Sequence, residues 1–248
     1  MYLRDGSAFV GLSGGSEVEP FISSMPPLAS LLLLLSLVRT LATVGVDVSA
    51  LVDESAWKCL QTPGGQGPIE FAVARVFRST GHADETGTES IKAAHAAGIK
   101  HVDGYLFPCV KCSSSPADQV QAAVAASVDI ERLWLDIEPF DWPSDPKSNE
   151  AFVTGLVDAC LKMAPSCGIY SSVHAWESIF ESSTDYSYPA SKGLPLWYAH
   201  YDGNPSFSDF SAFGGWSKPT IKQYYGDKTS CGVGLDYNWM PAGVVEAA

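Results

Sequence analysis

The stretch RLWLDIEP, Arg132 to Pro139, decides how the rest of the chain is read. Its apolar residues Leu133, Leu135 and Ile137 alternate with Trp134, Asp136 and Glu138. Successive side chains on a β-strand point to opposite faces, so Asp136 and Glu138 are expected to project together, roughly 6.5–7 Å apart along the backbone. Leu133, Leu135 and Ile137 are then expected to pack outward beneath helices, with Trp134 and the two acids facing an interior and its mouth. Two carboxylates on a strand this hydrophobic need a reason, because an unpaired buried carboxylate is strongly disfavoured.

Seven further β-rich runs accompany this one, separated by turn residues, at 43–49, 69–77, 101–108, 166–172, 194–201, 220–225 and 234–240. Helical patterns lie between the early runs. The alanine-rich segment 88–98 ends in a glycine, segment 116–128 opens on a proline suited to a first helical turn, and segment 148–164 places Phe152, Leu156, Val157 and Cys160 on one stripe. After the fifth run only 173–180 reads as helical. Strand–helix alternation predicts a parallel sheet with right-handed crossovers. The expected fold is α/β: an irregular TIM-like (β/α)5β3 barrel forming a single domain over residues 43–248.

Composition narrows the function. The chain has 248 residues, 46% hydrophobic and 17% charged, in the globular range. A net charge of −13 argues against nucleic acid, whose phosphates need clustered Lys and Arg. Residues 25–42, with their leucine run, have signal-peptide length and fall short of the roughly 20 apolar residues of a spanning helix. Thr40 and Ala42 suit cleavage after Ala42. The 24 residues before Met25 are Gly- and Ser-rich and not basic, so Met25 is a candidate start. Residues 1–42 are thus expected to be an extension and signal removed on export, leaving a monomer with no stable membrane anchor. Six cysteines in an exported chain read as three disulfides, for which 15 pairings exist. The pairing adopted is Cys59–Cys231, Cys109–Cys112 and Cys160–Cys167, the first tying the start of the domain to its end. Cys109 and Cys112 alternatively form a redox or zinc half-site.

In parallel barrels, functional side chains gather at the C-terminal ends of the strands. Asp47 lies near the end of the first run and Asp236 within the last, and these neighbour each other if the barrel closes. Asp47, Asp136, Glu138 and Asp236 would then share one cavity. Crowded like charges in a partly dry site raise at least one pKa, giving a carboxylic acid able to donate a proton near neutral pH. A Mg²⁺ or Ca²⁺ site is the rival reading of such a cluster; no phosphate-cradling loop accompanies it, and no metal or cofactor is expected. The aromatics Tyr105, Tyr170, Trp197, Tyr198, Tyr201, Tyr224, Tyr225 and Trp239 lie on or at the ends of the runs. Acids and aromatics in one mouth form a polysaccharide-cleft pattern.

These residues resemble the glycoside hydrolase family 25 muramidases, or Chalaropsis-type lysozymes, from about Val44 to Trp239. The matching segments are GVDVS (45–49), DGYLF (103–107), LDIE (135–138), GIYS (168–171), LWYAHY (196–201), QYY (223–225) and LDYN (235–238), in the family's order. Three departures stand out. The second run ends ARVFRSTG (74–81) where the family has a Lys-Ala-Thr-Glu-Gly-like segment, Lys222 replaces the tryptophan of Trp-Gln-Tyr, and Leu106 replaces a histidine. The resemblance implies that Glu138 is the general acid/base and that Asp136 assists participation of the substrate's N-acetyl group. It implies that Asp47 and Asp236 shape the field, and that Tyr105, Tyr170, Trp197, Tyr198, Gln223 and Asn238 meet the sugar. The implied substrate is bacterial peptidoglycan, cut between N-acetylmuramic acid and N-acetylglucosamine by a secreted or lysosomal/phagosomal enzyme, for defence or digestion. The alternatives are a non-catalytic glycan-binding protein on the same barrel and a hydrolase of chitin-like glycans.

Overall fold

The computed structural model describes residues 43–62, 66–127 and 129–242. The expected export segment, 1–42, lies outside the described residues, as does the end of the barrel range, 243–248. Among the described residues no helix is long and apolar enough to cross a membrane.

The strands are β1 (Thr43–Val48), β2 (Phe71–Arg78), β3 (His82–Ala83), β4 (His101–Leu106), β5 (Leu133–Asp136), β6 (Cys167–Ser171), β7 (Leu196–Ala199), β8 (Ile221–Ser230) and β9 (Val233–Met240). The helices are α1 (Glu54–Leu60), α2 (Glu85–Ala96), α3 (Pro116–Ala126), α4 (Pro146–Met163), α5 (Val173–Phe180) and α6 (Tyr188–Ser191). The sheet runs β1-β9-β8-β7-β6-β5-β4-β2-β3, and β1 pairs with β2 to close a barrel of eight staves. The two-residue β3 only extends β2 at its edge.

Six parallel pairings, β2–β4, β4–β5, β5–β6, β6–β7, β7–β8 and β1–β2, make up most of the wall. The parallel sheet expected from strand–helix alternation holds in these six pairings and gives way at β9, which is antiparallel to both β8 and β1. The reason is local: β8 runs on to Ser230 and turns back through Cys231 and Gly232, both at positive φ. A two-residue turn of this kind closes a hairpin, whereas a parallel crossover needs a dozen or more residues.

Side-chain parity is as the opening stretch predicts. Leu133, Leu135 and Ile137 are fully buried against the helices, each burial contributing about 1.5–3 kcal/mol. Trp134 faces the interior with Phe71, Val73, Tyr105, Tyr170, Trp197, Ile221 and Met240. Two glycines make room there: a Cβ on Gly168 would run into the Trp134 ring, and one on Gly45 into the Phe71 ring. Helix starts are fixed by short acceptors. Asp53, Asp84, Ser115, Asp145 and Ser172 each cap a backbone N–H of the following helix. Asp145 followed by Pro146 starts α4 two residues ahead of the sequence expectation, and Asp84 starts α2 three ahead. Cysteines pair as expected, Cys59–Cys231, Cys109–Cys112 and Cys160–Cys167.

Candidate active site

At the C-terminal mouth of the barrel lies a small polar pocket of about 100 Å³. Asp47, Tyr105, Asp136, Glu138, Tyr170, Trp197, Tyr201, Gln223 and Asp236 line it. The strands deliver these residues by parity. Asp47 and Asp236 sit directly opposite each other on β1 and β9, and Asp136 is the last residue of β5, opposite Tyr170 on β6. Glu138 lies two residues past the strand end, but its backbone is pinned. The Ile137 N–H donates to the Tyr170 carbonyl (2.9 Å), the Ser171 hydroxyl donates to the Ile137 carbonyl (2.8 Å), and the Trp142 indole donates to the Glu138 carbonyl (2.7 Å).

Gln223 is the hub of the pocket. Its amide nitrogen donates to Asp47 Oδ2 (2.7 Å) and Asp236 Oδ2 (3.2 Å), while its amide oxygen accepts from the Tyr170 (2.6 Å) and Tyr201 (2.8 Å) hydroxyls. Asn238 supports Asp47 from behind, donating to the same Oδ2 (2.7 Å) while accepting from the Trp197 indole (2.7 Å). Trp197 forms the floor, in edge contact with Trp134, Tyr105 and Tyr170. The Trp134 indole donates to Asp103 (2.7 Å), whose carboxyl burial pushes up to about 6.

All four pocket acids titrate high. Burial, then the charge of Asp236, pushes Asp47 up to about 8. Burial, then Glu138 and Asp47, holds Asp136 well above the carboxylate range. Glu138 is raised by burial and by Asp236, and Asp236 is raised by burial against the pull of the Asp227 N–H. One oxygen of Asp136, Oδ1, is buried with no hydrogen-bond partner, an acceptor in want of a donor. The arrangement can therefore offer a proton from a half-buried carboxyl while neighbouring carboxyls take up or stabilise positive charge.

Of the sequence-named residues, the pocket brings together Asp47, Asp136, Glu138, Asp236, Tyr105, Tyr170, Trp197 and Gln223. Two others stand elsewhere. Asn238 is fully buried behind Asp47, so its side chain reaches that carboxyl and not the pocket. Tyr198 has the opposite parity to Trp197, packs in the outer core and lines a second cavity of about 430 Å³ beside the first. Glu138, Tyr170 and Tyr201 line both cavities.

Sequence reasoning names Tyr201 only as one aromatic of the mouth, with no sugar-binding role, and does not name Arg75 at all, although parity marks both. Tyr201 continues the inward series of Trp197 and Ala199, and Arg75 that of Phe71 and Val73. Arg75 is clamped by Asp84 (Nε to Oδ2, 2.8 Å) and by the Ser49 carbonyl (2.8 Å), and its charge opposes the upward shift of Asp136.

The chain is similar to known proteins in sequence and in fold. Residues 39–224 match the family described as "Lysozyme-like protein 1". The chain is 40% identical over 201 residues to probable GH family 25 lysozyme 4 of Dictyostelium discoideum, covering 79% of this chain and 90% of that protein. A family 25 glycosyl hydrolase from Bacillus anthracis superposes with a TM-score of 0.58 at 17% identity, over 80% of this chain and 88% of that one. The modular Cpl-1 endolysin, solved in complex with a peptidoglycan analogue, superposes with a TM-score of 0.55 at 16% identity, over 82% of this chain and 55% of that one.

Proposed function

Because the chain belongs to the glycoside hydrolase family 25 lysozymes, we propose that it is an exported N-acetylmuramidase in which Glu138 is the general acid/base. It hydrolyses the β-1,4 bond between N-acetylmuramic acid and N-acetylglucosamine in bacterial peptidoglycan. The position of Glu138 carries this reading: half-buried where the two cavities meet, with a carboxyl raised by burial and by Asp236. A raised carboxyl keeps its proton at a pH where an ordinary glutamate has lost it, and so can protonate the glycosidic oxygen.

The substrate's own acetamido oxygen attacks the anomeric carbon as the bond to the leaving sugar breaks. Asp136, with its unpartnered Oδ1, receives the acetamido N–H and stabilises the cyclised cation. Water then opens this intermediate, with Glu138 returning as base. Asp47 and Asp236 hold the field, and Gln223 and Asn238 keep Asp47 in place. Peptidoglycan as substrate is supported by the lysozyme relatives and by the endolysin whose structure holds a peptidoglycan analogue. Export is supported by the leucine run at 25–42 and by three disulfides, which persist in oxidising compartments.

The test is release of reducing ends from purified bacterial cell walls. Glu138→Gln should lower turnover by about 10²–10⁴, the range of general acid catalysis; a folded variant with most of its activity would refute the assignment. De-N-acetylated walls should be cut poorly by the wild-type enzyme. Equal rates on both walls would remove the acetamido step.

A further inference from the structure

Behind the pocket sits a lysine the reaction does not use. Lys222 is fully buried and has the outward parity on β8, next to inward-facing Gln223. Its ammonium donates to Asp202 (2.8 Å) and Asp209 (2.6 Å). Asp209 also pairs with the His200 ring and accepts from the Tyr198 hydroxyl (3.1 Å). His200, Asp202 and Asp209 bring their ligand atoms within 4.8 Å of one another, as a metal site would, but Lys222 already supplies a cation to both carboxylates.

The same segment is tied to β8 through the backbone, by the His200 N–H to the Gln223 carbonyl (3.0 Å) and the Gly203 N–H to the Tyr224 carbonyl (2.9 Å). Between these ties stands Tyr201, 56% exposed, with its hydroxyl on Gln223 Oε1 and 3.3 Å from the Tyr170 hydroxyl. Its ring rests against Gly226, where any Cβ would approach within 3.2 Å. A side chain so exposed keeps one position only if its backbone is held, since ordering it costs rotamer entropy.

We propose that Lys222 is a positioning residue for the glycan cleft: with Asp202 and Asp209 it latches the segment from His200 to Asp209 onto β8 and so seats the Tyr201 hydroxyl on Gln223. The latch reaches the chemistry by a short path. Tyr201 holds the Gln223 amide, that amide holds Asp47, and the Tyr201 ring forms part of the wall shared by the two cavities. Replacing the lysine by a neutral side chain removes the ammonium that the two facing carboxylates share and frees the segment. The proposal rests on the hydrolase reading for its kinetic test, but not for its structural one.

The kinetic test is a double-mutant cycle on solubilised peptidoglycan. Lys222→Met should lower kcat/KM about tenfold in the wild-type background and less than about twofold in the Tyr201→Phe background, because residues acting through one another are not additive. An equal factor in both backgrounds, or no loss in either, overturns the proposal. If Lys222→Met does not fold, Asp202→Asn takes its place, with a smaller loss and the same dependence on Tyr201. Amide hydrogen exchange gives a readout independent of activity. His200 and Gly203 should exchange faster in the variant while β5 and β6 are unchanged; unaltered exchange at those two amides also overturns the latch. A wild-type protein that cuts no glycan would refute the hydrolase reading and leave the exchange result to decide the latch.

Discussion

Glu138 is set by its neighbours more than by the strand that leads to it. Burial raises its carboxyl, and Asp236 adds a like charge from across the pocket. Removing that charge should lower the Glu138 pKa. Asp236→Asn is therefore expected to move the alkaline limb of the kcat–pH profile to lower pH, in addition to any drop in its height. A profile of unchanged shape would show that Asp236 does not act on Glu138 through charge. The four acids were legible in the sequence because period-two spacing and strand ends are written in it. Arg75 and Tyr201 carry the same parity signal, yet a lone arginine and a terminal tyrosine have no partner in sequence to mark them: Asp84 and Gln223 become partners only in three dimensions. Nor does a sequence distinguish Asn238 behind Asp47 from a residue that touches a ligand, since burial at one position depends on every stave around it.

At the scale of elements, the interior of the barrel is filled unevenly, with indoles on some staves opposite glycines on others. Trp134 of β5 occupies the space that a side chain on Gly168 of β6 would need. Gly168→Ala should therefore cost about 1–3 kcal/mol by overpacking, read as a lower midpoint of chemical denaturation. If stability is unchanged, the Trp134 ring has room to shift, and the floor beneath Trp197 is softer than its packing implies. Eight staves and the four longest helices could be read from alternation and helical stripes. The seven-residue α1, the four-residue α6 and the two-residue β3 could not, being too short to show a period. The direction of β9 is not legible because the β-rich run 220–225 stops five residues short of the end of β8, which hides the tight turn at Cys231–Gly232.

For the whole molecule, the acids set a stability that depends on pH in two opposing ways. Asp47, at about 8, and Asp136, well above the usual range, bind protons more tightly when folded. Stability therefore falls as pH rises from about 4 through about 8. Asp84 and Asp209, held near 2 against the desolvation of their sites by Arg78 and by Lys222 respectively, act in the other direction. Their contribution is present above about 4 and is lost as pH falls toward 2. The protein should be most stable in mild acid. Asp47→Asn should flatten the decline in Tm between pH 5 and 8; the same slope in both proteins would show that Asp47 ionises without cost.

The bond between Cys59 and Cys231 has a consequence beyond its effect on the unfolded chain. It joins the first helix of the described domain to the turn of its last hairpin, across 172 residues of sequence. A protease that cuts once in any loop between them produces two fragments that remain one covalent molecule. Such a nicked chain would run as a single band until reduced, and the barrel staves on either side of the cut would stay tethered in register. Surface scission would then be damage without dismemberment.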